Sequence, residues 1–366
     1  MTVAVGLSGG VDSTVTAWLL QQHGHEVIGI TMQLWEGEAT GPPPGQGAGC
    51  HGPAGARAVK AARAIAARLG IAHHLIPLGG DFARCVLDPF RATYRAGRTP
   101  NPCVLCNEQV KFGAMPARAR ELGIAFDRLA TGHYVRLEFD AGAGIHRLRT
   151  GLDPAKDQSY FLSRLRQAQL GGLCFPLGDR IKTDVRELAI KAGFADVAAG
   201  RESQDFATGE GAGYGGLFSE AESPPGPLLD TTGRRLGTHR GLVHYTVGQR
   251  QGLGVATGSR LYVKSLHPET NTVLLAPRDE LFSDACLIEQ ANWLAGRPPP
   301  DGHPCTVRLR YRHPGVSATL HRLADCTWRA NFAAPQFAVA PGQAAVCYTD
   351  DELLGGGWIG SVPNVQ

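Results

Sequence analysis

Val3-Ala4-Val5-Gly6-Leu7-Ser8-Gly9-Gly10-Val11-Asp12-Ser13 decides the fold of this chain. A short Val-rich run reads as a buried strand, and a Gly-rich turn leads from it into a helix over about Ser13 to Gln22, closed by Gly24. Glycines let the backbone wrap a phosphate, while the free N–H groups and positive dipole end of the helix point at it. Ser8 and Ser13 add hydroxyl donors, and Asp12 is a candidate ligand for a Mg²⁺ ion that neutralises the phosphates. The loop lacks the Lys-Ser/Thr ending of a Walker A motif.

Outward from this loop, β and α signals alternate to about residue 200. Strands are expected at Glu26–Gln33, His73–Leu78 and Arg128–Thr131. Helices are expected at Ala54–Leu69, Phe82–Ala96 and Cys106–Leu122. This alternation predicts an α/β fold with a doubly wound parallel sheet. Glycines crowd the stretch after Thr208, and Ser223-Pro224-Pro225-Gly226-Pro227 reads as a linker. From about Leu261, six short β-type runs separated by turn residues predict a C-terminal β-barrel: Leu261–Leu266, Thr272–Leu275, Thr306–Tyr311, Ala318–Leu320, Phe337–Val339 and Ala344–Tyr348. The expected domains are 1–200 (catalytic), 201–264 (small, central) and 265–366 (barrel).

The chain has 366 residues, a formal charge of +3 and 13 His, weak evidence alone for an anionic partner. No apolar run spans a bilayer and the N-terminus has no signal-peptide pattern, so a cytoplasmic protein without a membrane partner is expected. The odd count of nine Cys fits reduced thiols and makes Cys103-x-x-Cys106 a candidate metal or redox site. Cys174, Cys286, Cys305, Cys326 and Cys347 read as structural. The run Val307-Arg308-Leu309-Arg310-Tyr311-Arg312-His313 alternates basic and apolar residues, as a strand with one cationic face would.

The Ser8–Ser13 loop resembles that of the PP-loop ATP pyrophosphatases, which cleave ATP to AMP and pyrophosphate. Gly97-Arg98-Thr99-Pro100-Asn101-Pro102-Cys103-Val104-Leu105-Cys106-Asn107, Thr131-Gly132-His133-Tyr134, Lys156-Asp157-Gln158-Ser159-Tyr160-Phe161, Gly248-Gln249-Arg250 and Pro341-Gly342-Gln343 narrow the resemblance. Together, in this order, they resemble the bacterial tRNA-specific 2-thiouridylases, the MnmA family, over nearly the whole chain. The resemblance implies an enzyme that adenylylates the 2-oxygen of a tRNA wobble uridine (Lys, Glu and Gln acceptors) and displaces AMP with sulfur. ATP would lie on Gly6, Leu7, Ser8, Gly9, Gly10, Val11, Asp12 and Ser13, with Met32 and Gly132 near the adenine and ribose. Asn101, Pro102 and Cys103 would meet the target base. Cys106 would be the nucleophile, with its pKa lowered at the N-terminal end of a helix. His133, Lys156, Asp157, Gln158, Arg310, Tyr311 and Gln343 would contact tRNA. A sulfur-donor relay protein or a sulfide source completes the implied partners; the oligomeric state stays open.

Two departures bear on sulfur chemistry. Many relatives carry an acidic residue where this chain has Cys103, and a second catalytic Cys in a Ser-Gln-x-Ile-Cys-Phe segment. Here that segment reads Ser203-Gln204-Asp205-Phe206-Ala207, without the Ile-Cys pair. A 4Fe–4S cluster on Cys50, Cys103 and Cys106 is therefore one expectation; a Zn²⁺ site, a Cys103–Cys106 redox pair and a persulfide on either thiol are its rivals. Cys85, inside an apparent helix, is a poorer third ligand. Another PP-loop tRNA sulfurtransferase acting on a different base, or a tRNA-binding protein that has lost catalysis, are the alternative functions.

Overall fold

The computed structural model describes residues 1–34, 53–200, 217–218, 222–255 and 258–360. Strands β1 (Thr2–Gly6), β2 (Glu26–Gln33), β3 (Ala72–Pro77) and β4 (Arg128–Ala130) are parallel neighbours. A hairpin of β5 (Val135–Asp140) and β6 (Ile145–Thr150) follows, and β7 (Leu173–Cys174) returns to pair beside β4. The sheet order is β3-β2-β1-β4-β7, so the chain winds outward one way from β1 and then crosses to its other side. Ligands in open α/β sheets bind at such a reversal, beyond the C-terminal strand ends. Here that point lies between β1 and β4.

Val3, Ala4 and Val5 are wholly buried because helices cover both faces of the sheet. Helix α1 (Val11–Gln22) leaves the Gly-rich turn, and α2 (Pro53–Leu69) joins β2 to β3. Gly24 and Gly70, at φ +77° and +66°, end them. Trp18 and Val15 of α1 belong to a cluster with Val185 and Leu188 of a later helix (Lys182–Lys191). The expected helix Phe82–Ala96 is one continuous helical run, α3, over residues 79–95, with a π-helical segment at Ala83–Leu87 that buries Cys85. The next run, α4, spans residues 102–121; Lys182–Lys191 is α5.

The central domain is a four-stranded sheet ordered β10-β11-β8-β9: β8 (Gly226–Asp230), β9 (Arg235–His239), β10 (Tyr262–His267) and β11 (Thr272–Ala276). The first two β runs assigned to the barrel thus belong here. A boundary after residue 264 would cut β10; the sheets separate between Ala276 and Phe282. The C-terminal barrel comprises β12 (Phe282–Trp293), β13 (His303–Arg308), β14 (Val316–Ala324), β15 (Thr327–Phe337), β16 (Ala344–Thr349) and β17 (Glu352–Ile359). They run β12-β15-β14-β13-β16-β17 and close through β12–β17 pairing around buried Ile288, Val307, Trp328 and Cys347. Cys286, Cys305 and Cys347 are buried as expected, and burial pushes the Cys286 thiol up to about 12. Cys326 is instead exposed on the turn between β14 and β15.

The barrel is bolted to the first domain. The β5–β6 hairpin extends the barrel sheet at Arg149–Glu352. Arg136 and Arg149 both pair with Asp351 at 2.6 Å. Asn292 donates to the Ser163 and Leu165 carbonyls, and Gln167 to that of Leu294.

Candidate active site

The loop after β1 folds on itself through its hydroxyls. Ser8 N–H donates to Ser13 Oγ (3.2 Å), which in turn donates to Gly10 O (3.0 Å). Gly9 sits at φ +82°, and a Cβ there would stand 2.6 Å from Ala61 Cβ on α2. Only glycine meets both demands. Gly10 is the N-cap residue, without a capping side chain, so N–H groups of the first turn stay open to an anion.

Asp12, in that first turn, has partners the sequence did not announce. Lys182 Nζ lies 2.7 Å from both carboxylate oxygens, and Tyr134 OH donates to Oδ1 at 2.7 Å. The Lys182 side chain is 9% exposed and that of Asp12 33%, so water reaches the pair from the carboxylate side only. Lys182 begins α5, and its backbone N–H donates to Asp153. Gly132 follows β4 and closes the site from the other side; a Cβ on it would stand 2.8 Å from Asp12 Cβ. Met32 is half-buried near the C-terminal end of β2, the same end of the sheet. A carboxylate with Ser8 and Ser13 hydroxyls is a hard-oxygen donor set of the kind Mg²⁺ takes.

The two thiols lie on α4, which starts four residues earlier than expected. Asn101 caps it by accepting from Val104 N–H (3.3 Å), and Pro102 is its first residue. Cys103 therefore occupies the first turn and Cys106 the second, so Cys103 is the nearer of the two to the positive end of the helix dipole. Both thiols are half-buried. From Cys106 to Ala114 the helix is π-wound, and Gln169 Nε2 donates to two of its carbonyls, Glu108 (2.9 Å) and Phe112 (3.0 Å). π segments often mark functional sites. The Glu108 carboxylate is held by Arg164 at 2.8 Å, which also donates to Gln290 O on the barrel. Met115 and Phe112 carry α4 over the phosphate loop: Met115 Cε would lie 3.9 Å from a Cβ on Gly6, and the Phe112 ring is 5.5 Å from that of His133.

Among the residues expected to meet RNA, several have internal partners. His133 is buried; its Nδ1 shares a 2.7 Å hydrogen bond with Thr131 Oγ1, and desolvation, aided by Lys111, holds its pKa well below the ordinary histidine value. Asp157 is buried and accepts from Gly151 N–H, Ser159 N–H, Ser159 Oγ and Arg308 Nη1, the last at 2.6 Å. Direct RNA contact by either is not what this geometry offers: both fasten the site from within. Gln158 Oε1 accepts from Tyr134 N–H, and Gln343 Nε2 donates to the Thr99 and Pro100 carbonyls. Lys156 is half-buried, and Arg310 is exposed. Tyr311 packs against Phe161, centroids 4.4 Å apart and rings tilted by 36°. The basic run is not a single strand, because β13 ends at Arg308; Arg310 and Tyr311 lie in the following turn. Cys50 and the Ser203–Ala207 segment lie outside the described residues. Among those described, no three His, Cys, Asp or Glu converge to hold a metal ion, and no helix is long and apolar enough to cross a membrane.

Family models match the three parts in turn: a tRNA methyl transferase HUP domain over residues 1–207, a tRNA methyl transferase PRC-barrel domain over 217–277, and an aminomethyltransferase β-barrel domain over 283–359. The chain is 44% identical to the tRNA-specific 2-thiouridylase MnmA of Moorella thermoacetica over 99% of its own length and 100% of that protein's. It is 38% identical to the enzyme of the same name from Endomicrobium trichonymphae, covering 98% and 99%. Against that from Lachnoclostridium phytofermentans it is 39% identical, again covering 98% and 99%.

Proposed function

This chain belongs to the tRNA-specific 2-thiouridylase family, and on that premise we propose that it 2-thiolates the wobble uridine of tRNA through an adenylylated intermediate. The observation that carries the reading is the junction at the C-terminal ends of β1 and β4, where an open helix N-terminus and the Asp12–Lys182 pair meet, with the later turns of the thiol helix packed against β1 through Met115. The relatives' names supply the RNA; the site supplies the chemistry.

ATP binds along Gly6–Ser13, with its pyrophosphate on the open N–H groups of α1, and Met32 and Gly132 border the nucleoside. Lys182 provides the cation that a departing pyrophosphate needs. When bound, Mg²⁺ lowers the charge on the phosphates, with Asp12, Ser8 and Ser13 as its holders. The uracil 2-oxygen attacks the α-phosphorus in line while its N3 proton passes to water; the α–β bridging bond breaks and pyrophosphate leaves. Such a transfer rests on alignment and charge stabilisation. The carbonyl oxygen has now become part of AMP, a good leaving group.

Sulfur then arrives at Cys106 as a persulfide from an external donor. The terminal sulfur attacks C2 and AMP leaves, giving a Cys106–S–S–C2 link. Cys103, one turn away on the same helix, attacks Cys106 Sγ. The C2-bound sulfur leaves as the thiocarbonyl, and a Cys103–Cys106 disulfide remains for an external thiol to reduce. The Cys-x-x-Cys spacing near a helix start suits such a pair. A cluster on Cys50, Cys103 and Cys106 is the second reading, favoured by the same spacing, and no step above passes through it. RNA contacts fall to Lys156, Gln158, Arg310 and the Tyr311–Phe161 ring pair. ATP, tRNA and a persulfide donor should together yield pyrophosphate, AMP and 2-thiouridine in equal amounts. Thiolation at another base, or none with pyrophosphate release intact, would contradict the proposal.

A further inference from the structure

The barrel loop Pro341–Gly342–Gln343 closes on the chain immediately ahead of the thiol helix. Thr99 N–H donates to Pro341 O at 2.7 Å, while Gln343 Nε2 donates to Thr99 O (3.3 Å) and Pro100 O (2.9 Å). Gly342 has φ +90°, and a Cβ there would stand 2.8 Å from Thr99 O and 2.9 Å from Arg98 Cβ. The approach is therefore as close as backbone permits. Behind it, Arg98 pairs with Glu289 of β12 at 2.9 Å. The loop is itself fixed to the barrel, since Ile359 N–H donates to Gln343 O and Gly342 N–H to Ile359 O. One residue further on, Ala344 O accepts from Tyr160 OH at 2.9 Å.

Pro100 and Pro102 bracket Asn101, so this stretch lacks two of its own backbone donors. The Thr99 and Pro100 carbonyls precede the helix and gain nothing from its ladder. Thr99 and Asn101 are buried, where unmet acceptors are costly. Both amide hydrogens of Gln343 are spent on these two carbonyls. An RNA phosphate could take that amide only by withdrawing it from them.

We propose that Gln343 is a positioning residue: it locks Thr99–Pro100, and through the Asn101 cap fixes where Cys103 and Cys106 stand relative to the activated base. The barrel is then a part of the sulfur-insertion geometry as well as a surface for RNA. This rests on the reading that Cys106 delivers sulfur.

Gln343→Met keeps the length and removes the donor; Gln343→Lys restores one donor. For Gln343→Met the affinity for tRNA should stay within about twofold. Single-turnover sulfur insertion at saturating tRNA and ATP should fall about 10²-fold, the scale of a misplacement near 1 Å. Alkylation of Cys103 and Cys106 by iodoacetamide, followed by mass spectrometry, should accelerate several-fold. Gln343→Lys should partly reverse both changes. Glu289→Gln, which loosens Arg98 on the same stretch, should move both readouts in the same direction and serves if Gln343→Met does not fold. Wild-type insertion at saturating tRNA with weakened tRNA affinity would overturn the proposal and make Gln343 an RNA contact. So would unchanged alkylation rates in all three variants. If Cys106→Ser thiolates normally, the sulfur-delivery reading fails instead, and the alkylation rates still decide the clamp.

Discussion

Lys182→Met separates the structural from the chemical part of the Asp12 pair. Lys182 Nζ sits 2.7 Å from each Asp12 oxygen, and its loss leaves the carboxylate with the Tyr134 hydroxyl alone. Breaking a fully buried pair costs about 3–5 kcal/mol. Asp12 is one-third exposed, so solvent screening lowers the expected loss to about 1–2 kcal/mol. That moves the melting temperature of a chain this size only by a few degrees. The chemical effect is larger. A unit charge about 4 Å from a phosphate oxygen is worth about 4 kcal/mol at an effective dielectric constant near 20. Removing one well-aimed stabilising group typically lowers kcat about 10²–10³-fold. Single-turnover release of pyrophosphate from ATP, with saturating tRNA, should therefore slow by about 10²–10³, and Lys182→Arg should recover much of it. A Lys182→Met enzyme that is less stable but releases pyrophosphate at the wild-type rate would refute the assignment of this cation to the phosphates.

Cys106→Ser should adenylylate tRNA and release pyrophosphate yet insert no sulfur, whereas Cys103→Ser should stall as a covalent Cys106–tRNA adduct visible on non-reducing gels. Anaerobic reconstitution decides the second reading of the thiols: a cluster would give iron and acid-labile sulfide that Cys50→Ser abolishes, and an iron-free protein that thiolates with a persulfide donor leaves the two-thiol route. Stability should fall as pH drops below about 6.5, because His133 is held neutral in the fold while an unfolded histidine takes up a proton there. One such proton contributes a slope of at most about 1.4 kcal/mol per pH unit, and His133→Gln should flatten the melting-temperature profile; an unchanged profile would contradict it. Arg308→Met should strip buried Asp157 of its cation and destabilise by about 3 kcal/mol, measurable by thermal denaturation, while Arg310→Ala on the exposed turn should leave stability alone and weaken tRNA binding in a salt-dependent way.

What could be read from the sequence follows from where its signals are local. β1, β2 and β3 are apolar runs bounded by turn residues, and the phosphate loop is glycine and hydroxyl chemistry in contiguous residues. The β5–β6 hairpin carries no apolar signal because its residues are charged: Arg136, Arg147 and Arg149 are satisfied by Asp351 and Glu352, some two hundred residues away. β17 is hidden in the sequence because Gly355-Gly356-Gly357 reads as a turn; a Cβ on Gly356 would stand 2.3 Å from Ala345 O, so close packing in the barrel demands those glycines. Lys182 carried no motif, and only the fold brings it to Asp12. Asp157, His133 and Gln343 stood out in the sequence, but their internal hydrogen bonds could not be seen from it. The sequence reading places Cys106 at a helix start, whereas the helix begins four residues earlier at Pro102, a residue suited to the first helical position.

The most direct measurement follows one oxygen atom. A substrate tRNA carrying ¹⁸O at C2 of the wobble uridine, thiolated with ATP and a persulfide donor, should pass its label into the phosphate of AMP, one ¹⁸O for each 2-thiouridine formed. Unlabelled AMP, with the heavy oxygen recovered in water, or thiolation that proceeds without ATP, would contradict the account.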